Sequence, residues 1–97
     1  FNAQFRSSLS GQQQEGQGRT LDISAGGCKI ESDLKVEKGT IIECRIHVPG
    51  LDWPLRVDEA LVAWTEGRTF GVWFTKMSPQ EHGKLVAVLD ELEREAQ

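Results

Sequence analysis

Apolar and polar side chains alternate along most of the middle of the chain, and few folds accommodate such a pattern. Ile42, Cys44 and Ile46 take every second position, and Glu43 and Arg45 lie between them. Because successive side chains of a strand point to opposite faces, this alternation predicts a strand with one buried and one solvated face. The pattern recurs and predicts five to seven strands, within residues 19–24, 28–31, 40–48, 55–64 and 69–74.

Short turn signals separate these segments. The stretch 65–68 favours a tight turn, and Gly26-Gly27 permits either a positive φ or a close approach of two backbones. Residues 11–18 are polar and interrupted by glycine, which predicts a loop. Strands joined by short turns pair antiparallel, and closing them into a barrel removes exposed edges. We therefore predict a mainly β fold, built as a small antiparallel barrel.

The periodicity changes before the last fifth of the chain. Ser78, Pro79 and Glu81 form a helix-start signature, in which serine caps the first turn and proline takes the first helical position. Apolar residues then follow at helical spacing and produce one stripe, at Leu85, Val88, Leu89 and Leu92. We predict a helix over residues 78–96 that docks this stripe on the sheet or on a barrel mouth.

Length and charge restrict the possible classes of protein. Ninety-seven residues fit a single domain, with an N-terminal arm and first strand expected in residues 1–10 and barrel strands in residues 19–76. The net charge of −4 argues against a nucleic-acid polymer as partner, because phosphate neutralisation requires an excess of Lys and Arg. No long apolar run and no secretory leader is visible, so we expect a cytoplasmic protein without membrane insertion. Because the first residue is Phe1, we expect a piece of a longer chain.

Residue types that often carry catalysis or metals are sparse. His47 and His82 occur in no nucleophile or metal-binding motif, and we expect both to be solvated. Cys28 and Cys44 are too few for a disulfide framework, so we expect two buried free thiols. A single disulfide between them stays open, because it requires Cα atoms within about 7 Å. These residues predict no enzyme, no metal and no cofactor.

One short motif offers the chemistry of a ligand site. Asp22, Ser24 and Gly27 form the pattern D-x-S-x-x-G, and the first two share one face of a predicted strand. A carboxylate beside a hydroxyl can bind a planar base edge or a phosphate oxygen, and Arg6 and Arg19 can grip phosphate. Gly27 would let the turn approach a ligand closely. In a second interpretation, the aspartate and serine satisfy backbone donors of a turn.

These residues resemble the signature of the PilZ domain family, bacterial receptors for cyclic di-GMP. That family carries an R-x-x-x-R element at its N-terminus and a D/N-x-S-x-x-G element one strand later, and the second is intact at residues 22–27. The strand ending in Val62-Ala63-Trp64, the strand at residues 70–74 and the final helix follow the order usual in the family. The resemblance covers nearly all of the chain and implies a six-stranded antiparallel split barrel with a C-terminal helix.

The resemblance also implies roles for individual residues. Arg6, in the second arginine position, would grip guanine and phosphate. Asp22 and Ser24 would bind a guanine edge or a phosphate, and Gly27 would shape the turn. The implied function is a cyclic di-GMP receptor that signals to an attached domain or a protein partner by ordering its N-terminal arm.

The chain departs from the family pattern at one position. Asn2 occupies the first arginine position, four residues before Arg6, and cannot replace a guanidinium group. Arg19 is the candidate substitute. The departure supports an alternative function, a PilZ-like adaptor that binds a protein through Trp53 or the acidic helix face instead of the nucleotide. An enzyme or another barrel-type binding module is the third alternative.

Overall fold

Six strands followed by one helix form the part of the chain that the computed structural model describes, residues 1–9 and 12–95. All strand pairs are antiparallel, and the order β1-β2-β3-β6-β5-β4 closes on itself because β1 also pairs with β4. The predicted six-stranded barrel with a C-terminal helix is confirmed. In chain order the elements are β1 (Asn2–Leu9), β2 (Gln12–Ile23), β3 (Gly27–Ser32), β4 (Ile41–Ile46), β5 (Leu55–Glu66), β6 (Thr69–Lys76) and α1 (Pro79–Glu95).

The barrel has two different ends. The helix end carries Phe1, the turn at residues 24–26, the loop at residues 47–54 and the start of α1. The hairpin end carries the connector at residues 33–40 and the turn at residues 67–68. Antiparallel pairing therefore gathers segments at each end that are far apart in the sequence.

The first half of β2 shows that the loop predicted over residues 11–18 is wrong, apart from residue 11, which lies outside the described residues. Its glycines occupy positions where a side chain would not fit. A Cβ at Gly16 would collide with the Phe5 ring, and a Cβ at Gly18 would collide with the carbonyl oxygen of Glu31. Because these positions carry no apolar side chains, the strand lacks the alternation by which sequence reasoning recognises one.

Residues 1–10 are the region in which the sequence predicts an N-terminal arm and the first strand, and Asn2–Leu9 form strand β1. Asn2–Leu9 pairs with β2 along one edge and with β4 along the other. Ala3 and Phe5 are buried in the barrel, so Asn2 and Arg6 lie on the outer face. Both residues are therefore held in a paired strand, and the ordering of an N-terminal arm by a ligand stays a prediction. Residue 10 lies outside the described residues.

Side chains from β1, β3, β4, β5 and β6 fill the barrel, and α1 adds two more. The alternation predicted for β4 is confirmed, since its inward residues are almost completely shielded from solvent while its charged residues face outward. The strand predicted within residues 55–64 extends over Leu55–Glu66 as β5, with two register shifts in its pairing with β6. The largest fully buried side chains are Ile30, Ile42, Ile46, Leu55, Leu85, Val57, Val62 and Cys44.

Helix α1 closes the helix end of the barrel. Leu85 and Val88 are buried, as their place in the apolar stripe predicts. The Ser78 hydroxyl accepts a hydrogen bond from the N–H of Glu81 at 3.2 Å, which confirms the predicted cap. The Glu81 carboxylate accepts a hydrogen bond from the N–H of Arg56 in β5 at 3.1 Å. The first turn of α1 is therefore attached to the barrel by a polar contact as well as by packing.

Both cysteines are free thiols in the barrel core, as expected. Burial raises the pKa of Cys44 to about 12. Burial also raises the pKa of Cys28, and the nearby Cys44 thiolate would raise it further. A thiol is nucleophilic only as a thiolate, so neither cysteine is reactive in the folded protein near neutral pH.

These thiols should make the fold sensitive to alkali. Folding raises the pKa values of both thiols. Their contribution to the free energy of unfolding is therefore fully present below the unfolded pKa of 9.0 and is lost as the pH rises above that value. Above that pH the unfolded chain releases thiol protons that the folded chain retains. Each thiol then lowers the free energy of unfolding by up to about 1.4 kcal/mol per pH unit. Urea unfolding should therefore show the free energy of unfolding falling by about 2 kcal/mol between pH 8.5 and pH 10.

Cys44→Ala provides the control for this pH dependence. The substitution lowers stability at every pH by leaving a cavity, but it removes one of the two titrating thiols. The fall between the same two pH values should be roughly half as large in the variant. Equal pH dependence in the two proteins would show that other groups cause it.

Candidate functional site

The D-x-S-x-x-G segment forms the turn between β2 and β3. The N–H of Ser24 donates a hydrogen bond to the carbonyl oxygen of Gly27 at 2.9 Å, and the Ser24 hydroxyl donates to the same oxygen at 3.3 Å. The hydroxyl also accepts a hydrogen bond from the N–H of Gly26 at 3.3 Å. Ser24 therefore holds the turn closed, which is the role that the second interpretation of the motif predicts for it.

Gly27 is the point where this turn meets β6. It pairs with Trp73, and a Cβ there would collide with the carbonyl oxygen of Val72. The N–H of Phe74 donates a hydrogen bond to the carbonyl oxygen of Gly26 at 2.9 Å, which ties the turn to the same strand. The close backbone approach is thus the role of this glycine pair, whereas positive φ angles occur at Gly39, Gly50 and Gly67.

A shallow groove of about 240 Å³, the turn groove, runs from this turn across the outer faces of β3, β5 and β6. Charged groups enter it from β2 and β3, and aromatic rings enter it from β5 and β6. It therefore combines polar groups with flat apolar surfaces. The lining residues that matter below are Asp22, Gly27, Lys29, Trp64, Gly71 and Trp73.

The two charges of the turn groove lie opposite each other. Asp22 and Lys29 are partners in the pairing of β2 with β3. The exposed Asp22 carboxylate forms no hydrogen bond or ion pair with any residue that the structure describes. The Lys29 ammonium lies 5.9 Å from the centre of the Trp64 ring, within the range of a cation–π interaction. The groove thus offers one unpaired carboxylate and one cation held over an aromatic ring.

Two indole rings are exposed along the groove. Trp64 is 39% and Trp73 is 59% exposed, so both lie on the outer face of the barrel. Trp64 lies against Gly71, where a Cβ would collide with the indole nitrogen. Exposed rings of this kind can stack on the face of a planar base.

Sequence reasoning assigned no ligand-site role to four residues of this groove, Lys29, Trp64, Gly71 and Trp73. Lys29 lies between the inward-facing Cys28 and Ile30, so alternation alone could have placed it on the outer face beside the motif. Gly71 carries no such signal, because its role depends on which ring lies beside it in the folded barrel.

Arg6 lies in a different part of the barrel. It is in the middle of β1, and its guanidinium group pairs with the carboxylate of Glu15 at 3.1 Å. Asp22 lies seven residues beyond Glu15 along β2, which is about 20 Å at the usual rise of a strand. Arg6 lines a second groove of about 450 Å³, where Glu43 and Arg45 also lie and the charges balance. The structure does not bring Arg6 and Asp22 together, and the nucleotide role of Arg6 stays a prediction.

Asn2 and Arg19 are closer to the motif than Arg6 is. Asn2 lies opposite Arg19 in the pairing of β1 with β2, and Arg19 precedes Asp22 by three residues. The guanidinium group of Arg19 is 67% exposed and contacts the carboxylate of Glu31 at 3.8 Å. Such an exposed ion pair is weak, so Arg19 can exchange Glu31 for another anion at little cost.

The remaining candidate residues are exposed. His47 and His82 both face solvent, and Trp53 is 78% exposed in the loop at residues 47–54. Among the described residues, no three His, Cys, Asp or Glu side chains are grouped as they would be to hold a metal ion. Over the same part of the chain, no helix has both the length and the apolar character required to cross a bilayer.

Comparison with known families agrees with the fold and the motif. The family model of the PilZ domain matches residues 1–91. The chain therefore belongs to the PilZ domain family, whose members are ligand-binding and adaptor modules and generally receptors for cyclic di-GMP. No curated protein matches the chain.

Solved structures share the architecture at low sequence identity. The PilZ domain of CeSA from a cellulose-synthesizing bacterium superposes with a TM-score of 0.64 and 17% identity, covering 96% of this chain and 94% of that one. An uncharacterized protein from Legionella superposes with a TM-score of 0.56 and 20% identity, covering 95% and 88% of the two chains. At these identities the similarity establishes the fold.

Proposed function

We propose that this PilZ domain is a cyclic di-GMP receptor module and that it binds the nucleotide in the turn groove. The observation that carries the proposal is the arrangement around that groove. An unpaired carboxylate, a cation and exposed indole rings converge on it, at Asp22, Lys29, Trp64 and Trp73. Family membership supports the same ligand.

Each of these groups matches one part of the ligand. Guanine presents neighbouring N–H donors on its pairing edge, and the two oxygens of Asp22 can accept both. The Lys29 ammonium suits a phosphate oxygen, because hydrogen bonds between opposite charges are strong. Trp64 and Trp73 offer flat surfaces for base stacking. Ser24 and Gly27 contribute by holding the turn against β6.

The size of the groove sets how much of the ligand it can hold. At about 240 Å³ the groove is smaller than the pockets of roughly 300–1,000 Å³ that enclose drug-sized ligands. It therefore accommodates one guanine with its phosphate, and the second half of the dinucleotide extends over the neighbouring surface. Arg19 and Asn2 lie on the same outer face beside Asp22 and are the residues in position to meet it.

A protein partner or an attached domain would recognise the groove when the nucleotide occupies it. Trp73 of this groove lies three residues before the end of β6, which leads into α1. A bound dianion changes both the shape and the charge of this end of the barrel. The module would thereby convert the nucleotide concentration into a change of surface that a partner recognises.

Asp22→Asn tests the proposed site. The substitution keeps the shape of the side chain and removes its charge, so one charge-assisted hydrogen bond to guanine is lost. We expect isothermal titration calorimetry to show cyclic di-GMP binding weakened by about tenfold or more. Cyclic di-AMP should bind weakly to the wild type, because adenine lacks the two neighbouring N–H donors.

Asp33→Asn is the matched control, because Asp33 is an exposed aspartate at the hairpin end of the barrel, paired with Arg68. Its affinity for cyclic di-GMP should stay within about twofold of the wild type. Absence of binding heat in the wild type at high micromolar ligand, or equal losses in the two variants, would contradict the proposal. The first of these results would favour an adaptor that does not bind the nucleotide.

Arg6→Ala tests the role that the family signature assigns to this arginine. Because the guanidinium group is paired with Glu15 and lies about 20 Å along the strand from Asp22, we expect the affinity to stay within about twofold. A loss as large as that of Asp22→Asn would show that Arg6 reaches the nucleotide after all.

A further inference from the structure

A third groove, the hairpin-end pocket, lies at the hairpin end of the barrel. It has a volume of about 460 Å³ and is formed between the connector at residues 34–38 and the β5–β6 hairpin at residues 65–70. The two segments are held together by a hydrogen bond from the N–H of Ser32 to the carbonyl oxygen of Arg68 at 2.8 Å. The walls of the pocket are therefore attached to each other at its base.

Apolar side chains line the inner part of this pocket. Phe70 is buried and packs edge-on against Phe5, with ring centres 5.3 Å apart. Leu34 and Val36 are half-buried and pack against the barrel core. A pocket of this volume with an apolar floor has room for an aliphatic or aromatic side chain.

Cations surround the entrance. Lys35 and Lys38 are exposed, and neither forms an ion pair or hydrogen bond with any residue in the described part of the chain. Arg68 also lines the pocket and is held by Asp33 at 2.6 Å. Against these three cations the lining contains one carboxylate, Glu37.

This excess of positive charge is local, because the chain as a whole carries a net charge of −4. The turn groove is lined by one cation and one carboxylate, and the groove beside Arg6 by two of each. Two unpaired lysines beside an apolar floor are therefore a distinct combination on this surface, and they complement a ligand that is both acidic and apolar.

We propose that the hairpin-end pocket docks an acidic peptide segment of a partner protein. An apolar side chain of the peptide occupies the floor formed by Leu34, Val36 and Phe70, and flanking carboxylates pair with Lys35 and Lys38. A nucleic-acid polymer fits less well, since its phosphates require many more cations than this net-acidic chain offers. The pocket borders the turn groove at the β5–β6 hairpin, where Thr65 and Phe70 line the pocket while their neighbours Trp64 and Gly71 line the groove.

Fluorescence anisotropy with a labelled synthetic peptide tests the proposal. The probe is an eight-residue peptide of sequence EELEELEE, titrated with the protein at low ionic strength. We expect saturable binding that weakens about tenfold in the double variant Lys35→Glu/Lys38→Glu, because two ion pairs are replaced by repulsions. Replacing both leucines of the peptide with serine should also weaken binding, since the apolar anchor is then absent.

The double variant Lys76→Glu/Lys84→Glu provides the matched control. It changes the net charge by the same amount at exposed positions away from the pocket, so it should retain the wild-type affinity within about threefold. If both double variants lose the same affinity for the peptide, the loss is caused by the overall charge of the protein, and the proposal is overturned. Equal binding of the serine peptide would also overturn it. Circular dichroism establishes that each variant is folded.

Discussion

Gly27→Ala is expected to destabilise the barrel by about 2 kcal/mol or more, although it adds a single methyl group. A Cβ at this position would collide with the carbonyl oxygen of Val72, which belongs to the backbone of β6. A backbone atom in a barrel strand cannot move aside without disturbing the pairing of β3 with β6. Urea unfolding followed by tryptophan fluorescence measures the loss.

Gly26→Ala is the matched control for this substitution. The nearest atoms to a Cβ at Gly26 belong to the Trp73 ring, at 3.8 and 3.9 Å, which is an ordinary contact distance. We expect its stability to stay within about 0.5 kcal/mol of the wild type. If the two variants are equally stable, the close approach of the turn to β6 does not limit this position.

Gly27→Ala also tests whether the turn positions the ligand, separately from its effect on stability. Asp22 and Lys29 flank the turn that Gly27 holds against β6, so a displaced turn moves both charges of the groove relative to Trp64 and Trp73. Under conditions in which Gly27→Ala is still folded, its affinity for cyclic di-GMP should fall at least as far as that of Asp22→Asn. Wild-type affinity in the folded variant would show that the turn does not position the ligand.

Leu85→Ala is expected to cost about 2–5 kcal/mol, the usual range for deleting a fully buried leucine side chain. Leu85 is completely buried where α1 closes the barrel, and Val88 is the other buried side chain of the helix. The lost packing is therefore a large share of the contact between α1 and the strands. Thermal unfolding measures the loss of stability, and hydrogen exchange of the α1 amides shows whether the helix separates from the barrel.

Val86→Ala is the control on the neighbouring residue. Val86 is 45% exposed and lies about 100° around the helix from Leu85. Its replacement should change the stability by less than about 0.5 kcal/mol. A small effect of Leu85→Ala as well would mean that the Glu81 contact, rather than apolar packing, attaches α1 to β5.

Local patterns in the sequence were sufficient for most of the elements. Strand β4 and the helix follow from regular apolar spacing, because one face of each must be buried against the rest of the fold. The first half of β2 could not be predicted in this way. Its inward positions are glycines, and the space beside Gly16 is filled by Phe5, a residue from another strand.

The candidate site, like the fold, could be predicted only in part from the sequence. The motif at residues 22–27 could be identified as a turn with a possible ligand role, because its residue types carry the relevant chemistry. The place of Arg6 could not be predicted, since it depends on a register that sets Arg6 opposite Glu15 rather than beside Asp22. The rings that complete the groove, Trp64 and Trp73, come from β5 and β6, about 40 to 50 residues beyond Asp22 in the chain.

By itself, the amino-acid sequence determined the class of fold, the β2–β3 turn and the family signature, because alternation, turn residues and a short motif are all local properties. Only the tertiary structure decided which charges share a groove, that the first half of β2 is a strand, and that two unpaired lysines border an apolar pocket. These features depend on strand pairing and barrel closure, which juxtapose residues distant in the sequence, and no local pattern specifies that pairing.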